Sequence, residues 1–290
     1  RAARALVTQR TDSVALVVSE SEERVFAEPF FAGIIRGINS VLLETPLQLW
    51  LAMAQSKRER ERVEHHLTRQ HVDGVLLMSL HGADRLPLLL AERGLPVVIC
   101  GQPGGDLNLD SGTISCVDAD NGGGARAAVA HLLAQGRKRI AAIAGPQDMG
   151  VGVLRLQGYR DALTEANVRV DESLIAYGDF SEASGARAMR TLLDRHPDLD
   201  AVFCASDLMA VGAMRTLREY GRRIPADVAV VGFEDSVLAR QADPPLTTVH
   251  QPVEAMGREM ARLLVARIKG EPAGPPLTVL DTHLVVRASG

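Results

Sequence analysis

Short apolar runs alternate with longer amphipathic stretches along the whole chain. The runs consist mostly of aliphatic residues, and this pattern predicts strands that are buried on both faces of a sheet. They cover residues 14–18, 47–51, 74–78, 97–100, 140–144, 201–205 and 228–232.

The stretches between these runs carry apolar residues at helical spacing, which predicts amphipathic helices. These helices lie near residues 29–44, 57–70, 84–93, 122–135, 155–166, 182–195, 207–220 and 253–269. Strands that alternate with helices indicate parallel sheets wrapped by helices. Since ligands of such α/β folds bind beyond the carboxyl ends of the strands, the residues directly after each strand are the candidates for a site.

The length and composition predict a large folded body with two subdomains. The chain has 290 residues, of which 46% are hydrophobic, and this length exceeds one usual core. No apolar run approaches the roughly 18 residues of a membrane span, and residues 14–18 are too short for a signal peptide. We therefore expect a soluble cytoplasmic protein with no membrane partner.

The formal net charge is -4, from 36 acidic and 32 basic residues. Binding to duplex DNA requires Lys and Arg to neutralise phosphates, so this body is poorly suited to it. If DNA is a partner, we expect the contact surface to lie mostly outside this chain.

The sequence predicts no catalytic residue, no cofactor and no metal site. Three cysteines without CxxC spacing, Cys100, Cys116 and Cys204, favour buried free thiols. Residues 122–127 match GxGxxA, but no strand that ends in an acidic residue follows, so dinucleotide binding is not indicated. An enzyme would need a nucleophile and base or a metal cluster, and no such set is evident.

Several motifs resemble the lactose-repressor/galactose-repressor (LacI/GalR) family of bacterial transcription regulators. Residues 1–6, Arg-Ala-Ala-Arg-Ala-Leu, resemble the family's hinge helix, and residues 14–18 resemble its first core strand. Further motifs follow in family order: residues 28–31 (Glu-Pro-Phe-Phe), 72–77 (Val-Asp-Gly-Val-Leu-Leu), 155–159 (Arg-Leu-Gln-Gly-Tyr), 178–180 (Gly-Asp-Phe), 231–233 (Val-Gly-Phe) and 245–252 (Pro-Leu-Thr-Thr-Val-His-Gln-Pro). Each motif alone is weak, and their common order carries the resemblance.

The resemblance implies an α/β fold of the periplasmic-binding-protein-like type I, with two Rossmann-like parallel-sheet subdomains and an effector cleft between them. It implies the following division of the chain: a hinge-helix remnant and linker at 1–10, an N-terminal subdomain at 11–118 and 253–278, and a C-terminal subdomain at 119–252 and 279–290. It also implies a homodimer that binds a small effector and contacts operator DNA through a helix-turn-helix headpiece preceding this chain.

The resemblance also places the effector-binding residues, which are Phe30, Phe31, Asp120, Arg155, Phe180, Ser206, Glu234 and Gln251. Aromatic faces suit the CH side of a sugar or the face of a base, and an Arg fork can hold hydroxyls, a carboxylate or a phosphate. Plainer roles stay open: core packing for the Phe residues, a helix-surface position for Arg155 and helix capping for Asp120. Asp207 is interpreted mostly as a helix N-cap.

Departures from the family pattern keep the effector open. Glu28 stands where Asn is common, Ser206 also replaces Asn, and Glu234 replaces Asp. Because an unpaired buried polar group costs about 1–3 kcal/mol, such changes alter specificity. The expected effector is a sugar, a sugar derivative or a nucleobase-like molecule.

The resemblance predicts a repressor whose hinge helix orders on the operator. Leu6 is in the place of the apolar side chain that enters the minor groove, and residues 1–8 are expected to be irregular in isolation because so short a helix is marginal. Residues 207–220 carry surplus apolar side chains, which suggests a dimer surface. The alternative function is a sugar-binding protein of a transport system, against which the hinge-like segment counts.

Overall fold

The computed structural model describes residues 11–68, 71–82, 84–103, 113–272 and 274–290. The hinge-like segment at 1–10, with Leu6, lies outside these described residues. The chain folds into two units. The first contains the chain up to Ala119 together with Pro252–Leu280, and the second contains Asp120–Gln251 together with Asp281–Gly290.

Each unit is built on one six-stranded sheet. In chain order, the strands are β1 (Ser13–Val18), β2 (Gln48–Met53), β3 (Gly74–Met78), β4 (Val97–Cys100), β5 (Ile114–Ala119), β6 (Ile140–Ala144), β7 (Ile175–Tyr177), β8 (Ala201–Cys204), β9 (Ala229–Glu234), β10 (Thr247–His250), β11 (Leu277–Leu280) and β12 (His283–Val285). The helices are α1 (Glu22–Ala27), α2 (Pro29–Leu42), α3 (Lys57–Leu67), α4 (Leu86–Glu92), α5 (Asn121–Ala134), α6 (Gly150–Glu165), α7 (Glu182–Arg195), α8 (Asp207–Glu219), α9 (Val237–Gln241) and α10 (Val253–Ile268).

The sheet of the first unit has the order β11-β5-β4-β3-β1-β2, and its strand pairs are parallel. Alternate residues of β1 point to opposite faces, so Leu16 belongs to one core and Val17 to the other. Helices α2 and α10 cover the first face, with Ile38 and Leu264 in that core. Helices α3 and α4 cover the second. The central strands are therefore buried on both sides, which explains their continuous apolar runs.

The sheet of the second unit has the order β12-β10-β9-β8-β6-β7, in which only β12 runs antiparallel among the described pairs. Helices α5 and α6 cover one face, where Tyr159 is fully buried and donates its hydroxyl to Ile140 O at 2.8 Å. Helices α7 and α8 cover the other face. The predicted α/β architecture with two parallel-sheet subdomains is confirmed.

The structure differs from the predicted elements at several points. β2 is an edge strand with Trp50 61% exposed, not a strand buried on both faces. Helix α6 begins at Gly150, so Arg155 lies in its second turn and does not open the helix. β11 continues to Leu280 by pairing with β5, and the last crossover therefore lies two residues beyond the predicted boundary at 278.

Most of the large apolar side chains of residues 207–220 pack within the second unit. Met209, Met214 and Leu217 are buried in the core that α7 and α8 form over the sheet. These three side chains are therefore unavailable to a partner, whereas Leu208 and Val211 of the same helix are partly exposed. A dimer surface on this helix stays a prediction.

Among the residues that the structure describes, no helix is both long enough and apolar enough to cross a lipid bilayer.

Candidate functional site

Five of the predicted ligand-binding residues lie beyond the carboxyl ends of parallel strands in the second sheet. Arg155 is on α6, which follows β6, and Phe180 follows β7. Ser206 follows β8, Glu234 ends β9 and Gln251 follows β10. Because the carboxyl ends of parallel strands meet at one edge of a sheet, this edge is where an α/β fold places a ligand.

Arg155 is the centre of a connected set of groups. Its side chain is buried, and Nε donates to Asn121 Oδ1 at 2.8 Å. Nη1 donates to Ala205 O at 2.6 Å, and Nη2 donates to Gln251 Oε1 at 3.1 Å. The guanidinium therefore joins the start of α5 to the residues that follow β8 and β10. Its burial rules out the helix-surface role that the sequence had left open.

One flat face of the Arg155 guanidinium lies on the ring of Phe233, with 3.7 Å between Cζ and the ring centroid. Glu234 Oε1 lies 3.8 Å from Nη1, and the Glu234 side chain is 21% exposed against 3% for Arg155. Solvent thus reaches the carboxylate more than the cation. We call Arg155, Asn121, Phe233, Glu234 and Gln251 the Arg155 cluster. Its carboxylate and amide oxygens are acceptors suited to ligand hydroxyl groups.

The backbone around this cluster is strained at three non-glycine residues. Phe180, Glu234 and Asp235 have φ values of 69°, 114° and 55°. Each such conformation costs on the order of 1–3 kcal/mol and persists only where surrounding contacts hold it. The strain supports a functional role for the loops after β7 and β9.

Phe180 is held by close packing against Gly145, the residue after β6. A Cβ at position 145 would lie 2.3 Å from Phe180 Cζ, so only glycine admits the ring there. The carbonyl of Phe180 accepts a hydrogen bond from Ser206 Oγ at 3.4 Å. The structure therefore links two predicted site residues across neighbouring loops.

Two of the candidate polar residues cap helices. Ser206 Oγ accepts from Met209 N at 3.2 Å and caps α8, so the interpretation of Asp207 as that cap was wrong. Asp120 Oδ1 accepts from Gly123 N at 2.8 Å and caps α5. This is the helix-capping role that the sequence had left open. Ligand contact by Ser206 and Asp120 stays a prediction.

Phe30 and Phe31 belong to the first unit. Their rings form an edge-to-face pair with centroids 5.4 Å apart. Phe31 is buried in the core under α2, whereas Phe30 is partly buried and packs against that core. Core packing accounts for Phe31, and the ligand role of both residues stays a prediction.

A polar cluster that the sequence did not reveal lies beyond the carboxyl ends of β1 and β3 in the first unit. Arg24 Nη1 lies 2.7 Å from Glu20 Oε1, and Arg24 Nε lies 2.6 Å from Glu28 Oε1. His81 Nε2 lies 3.3 Å from Glu20 Oε1. Burial lowers the pKa of Arg24, but the charges and hydrogen bonds of Glu28 and Glu20 outweigh it and raise that pKa overall. Only Glu28 had been singled out, as a departure from the family pattern.

Sequence reasoning also missed Asn121, Phe233 and the acceptor role of Ala205. Asn121 begins α5, two residues beyond the end of β5, and is a buried polar residue, so its position near the end of a strand was a usable signal. Nothing in the sequence separates Phe233 from an ordinary core residue, because its contact with Arg155 depends on a distant segment.

The described residues hold no group of three or more His, Cys, Asp or Glu side chains that could bind a metal ion. All three cysteines are free, and Cys116 and Cys204 are buried. Burial raises the pKa of the Cys116 thiol to about 12 and also raises that of Cys204. These thiols stay protonated at neutral pH and are poor nucleophiles.

Comparison with known sequences agrees with this architecture. Residues 129–290 match the family described as the periplasmic binding protein-like domain. The whole chain is 57% identical to the HTH-type transcriptional regulator CelR of Thermobifida fusca, of which it covers 84%. It is also 36% identical over 268 residues to the HTH-type transcriptional repressor CytR of Escherichia coli (strain K12), covering 90% of this chain and 76% of that protein.

Solved structures give the same result. A transcriptional regulator CelR-cellobiose complex matches 97% of this chain and 85% of its own, with a TM-score of 0.93 and 56% identity. The transcription regulator CcpA of Lactococcus lactis matches 97% of this chain and 99% of its own, with a TM-score of 0.86 and 27% identity. These relatives are transcription regulators, which counts against the transport-protein alternative. An identity of 57% over all 290 residues, on the same two-unit α/β fold, shows that the chain belongs to the LacI/GalR family of transcription regulators and is an effector-sensing core.

Proposed function

We propose that the effector of this regulator is cellobiose or a closely related β-linked glucose disaccharide. The observation that carries the proposal is the similarity to the CelR-cellobiose complex, which extends over 97% of the chain at 56% identity. Its supporting geometry is the Arg155 cluster, which presents several hydrogen-bonding groups at a sheet edge.

The charges of the cluster favour a neutral ligand. Glu234 Oε1 lies 3.8 Å from Arg155 Nη1 and balances the cation. A sugar phosphate would bring a second anion close to the Glu234 carboxylate, and repulsion between like charges is strong where water is partly excluded. Hydroxyl groups instead can donate to the Glu234 carboxylate and to amide oxygens. A neutral disaccharide therefore suits this site better than a phosphorylated sugar.

The proposed regulator is a repressor that acts as a homodimer on operator DNA in the cytoplasm. The chain's net charge of -4 supports DNA contacts by a headpiece outside it. The ligand undergoes no chemical change. Its role is to bind one conformational state more tightly than another and so to alter DNA affinity. Similarity to named transcription regulators supports this scheme.

Isothermal titration calorimetry with cellobiose, maltose, glucose 6-phosphate and adenine tests the proposed effector. Maltose matches cellobiose in composition and differs in the linkage between the glucose rings. We expect cellobiose to bind most tightly and, at about 100 times its dissociation constant, to add about 2.7 kcal/mol to the free energy of unfolding. Tightest binding of the phosphate or the nucleobase would contradict the proposal.

A further inference from the structure

We infer that Asp207 is a positioning residue that holds the strained Glu234–Ser236 turn and through it sets the ligand affinity of the Arg155 cluster. The inference rests on the proposed function, because the turn carries Glu234, the carboxylate assigned to the ligand. Asp207 itself is fully buried, so it supports the turn from the interior of the protein.

Both carboxylate oxygens of Asp207 are used to hold this region. Ser236 N donates to Oδ2 at 2.7 Å, and Thr248 Oγ1 donates to Oδ1 at 2.5 Å. The Thr248 hydroxyl also accepts from Asp235 N at 3.4 Å. Asp207 therefore contacts one end of the turn directly and its middle through Thr248.

The turn needs such an anchor because two consecutive residues are strained. Glu234 has a φ of 114° and Asp235 a φ of 55°, and such conformations persist only where neighbouring contacts over-determine them. If the hydrogen bonds of Asp207 were lost, the backbone would relax toward ordinary φ values. The Glu234 carboxylate would then leave its position 3.8 Å from Arg155 Nη1.

Glycine at position 232 makes the close approach of Asp207 possible. A Cβ there would lie 2.5 Å from Asp207 Oδ1, so any larger residue would displace the carboxylate. The opposite side of the turn is held by Asp235, whose carboxylate lies 2.6 Å from Arg287 Nη2 and 3.1 Å from His250 Nδ1. The turn is thus fixed from two sides, by the fully buried Asp207 on one side and by the partly exposed Asp235 on the other.

The same geometry predicts a pH signature. Burial raises the pKa of Asp207 to about 6, against the lowering effect of its hydrogen bonds from Thr248 and Ser236. Protonation removes acceptor capacity from the carboxyl group, so ligand affinity should fall as the pH drops through this range. Asp235 and Cys204 are the ionisable groups that interact with Asp207, while His250, Arg240 and Arg287 surround Asp235.

The test compares Asp207→Asn and Thr248→Val with the control Asp200→Asn. Asp200 also accepts from two backbone N–H groups, those of Lys138 and Arg139 at 2.8 and 2.9 Å, but it does not contact the turn. Hydrogen exchange of the peptide at 232–238 is measured without ligand. Cellobiose affinity is then measured by calorimetry at about pH 7.5 and about pH 5.5, on either side of the Asp207 pKa.

For Asp207→Asn we expect turn exchange and the cellobiose dissociation constant each to rise about tenfold or more. The wild-type loss of affinity at lower pH should shrink in this variant. Thr248→Val should show the same changes, smaller in size, and it decides the question if Asp207→Asn does not fold. Asp200→Asn should lose stability while turn exchange and affinity stay as in wild type.

Unchanged turn exchange in the folded variants would overturn the inference, and so would faster exchange with unchanged cellobiose affinity. If wild type itself fails to bind cellobiose, the proposed effector is wrong. In that case the exchange rates alone decide whether Asp207 holds the turn.

Discussion

At the scale of single residues, the burial of Arg155 depends on acceptors that other segments supply. A buried charge costs several kcal/mol unless hydrogen bonds and an opposite charge compensate it. Asn121, Ala205 and Gln251 supply the acceptors, and Glu234 supplies the opposite charge. The arginine is therefore part of the second unit's structure as well as part of the candidate site.

Arg155→Ala should lower the free energy of unfolding by about 3 kcal/mol or more, because it leaves buried acceptors without donors. Arg155→Lys keeps the charge without the planar fork and should fall between alanine and wild type. Both should weaken cellobiose binding. Urea unfolding provides the measurement.

The matched control for this prediction is Arg187→Ala. The Arg187 side chain is 64% exposed and lies 3.8 Å from Asp179, so its loss should change stability by less than about 0.5 kcal/mol. Equal stability of Arg155→Ala and Arg187→Ala would contradict the structural role of Arg155.

Asp207 predicts an unusual pH dependence of stability. Its pKa is raised from 3.8 to about 6 in the folded protein, so between those values the folded state binds more protons than the unfolded state. Stability from this group is therefore highest at low pH and falls as the pH rises through about 6, by about 3 kcal/mol at most.

Chemical unfolding of wild type and Asp207→Asn at about pH 4 and about pH 7 isolates this contribution. The free energy of unfolding of wild type, relative to the variant, should be lower at the higher pH. A relative gain of wild-type stability at the higher pH would show that the sign is wrong.

At the scale of elements, the loops after the second sheet's strands are positioned by contacts with each other. The Phe180 ring packs on Gly145 after β6, and its carbonyl accepts from Ser206 at the start of α8. A change in one loop should therefore reach the next. The strained φ of Phe180, 69°, makes this loop sensitive to lost packing.

Gly145→Ala should displace the Phe180 ring, because the added Cβ would lie 2.3 Å from Cζ. Overpacking of this kind costs about 1–3 kcal/mol, and cellobiose affinity should fall with it. Gly122→Ala is the control, since its Cβ would meet only Leu154 O at 3.8 Å. Thermal unfolding and calorimetry of both variants check the prediction, and equal cellobiose affinity would place Phe180 outside the site.

At the scale of the whole molecule, an apolar sheet edge indicates how a second copy could bind. β2 is an outer strand of the first sheet, with Trp50 61% and Leu51 40% exposed. Beside them lies a pocket of about 280 Å³ that His66 of α3 also lines. α3 carries alternating charges, Lys-Arg-Glu-Arg-Glu-Arg. A two-fold axis through this edge would set the helix against its copy, so that basic residues would face acidic ones.

We therefore expect Trp50→Glu to weaken the homodimer at least about tenfold, since it would place a carboxylate on the edge that we propose a second copy covers. Leu88→Glu is the control, because Leu88 is also exposed on the first unit but lies on α4, away from β2. Sedimentation velocity over a micromolar range of concentrations measures the association. Equal dimerisation of the two variants would show that the interface lies elsewhere on the protein.

The hinge-like segment predicts a separate effect on DNA binding. When the chain is joined to the proposed headpiece, Leu6→Ala should reduce operator affinity, because an apolar side chain that enters the minor groove helps to kink the base step. Cellobiose affinity should stay nearly unchanged. Gel-shift titration and calorimetry separate the two effects, and equal operator binding would remove the hinge interpretation.

The sequence by itself determined the architecture and the sheet edge that carries the candidate site. Continuous aliphatic runs mark buried parallel strands, and the periodicity between them marks helices, since both are local properties of the chain. Of the strands that precede these candidate residues, the aliphatic runs predicted β8 and β9, whereas the residues after β7 and β10 were placed by the family resemblance. Edge strands could not be identified in this way. Trp50 lies in an apolar run, and only the strand order shows that β2 is an exposed edge strand.

Only the tertiary structure decided how the site residues are connected. The acceptors of Arg155 lie 34, 50 and 96 positions away along the chain, and the partners of Asp207 lie 29 and 41 positions away. A sequence pattern reports which face of an element is buried, but not which distant group that face meets. The burial of Asp207 and the strain at Glu234 follow from such distant contacts.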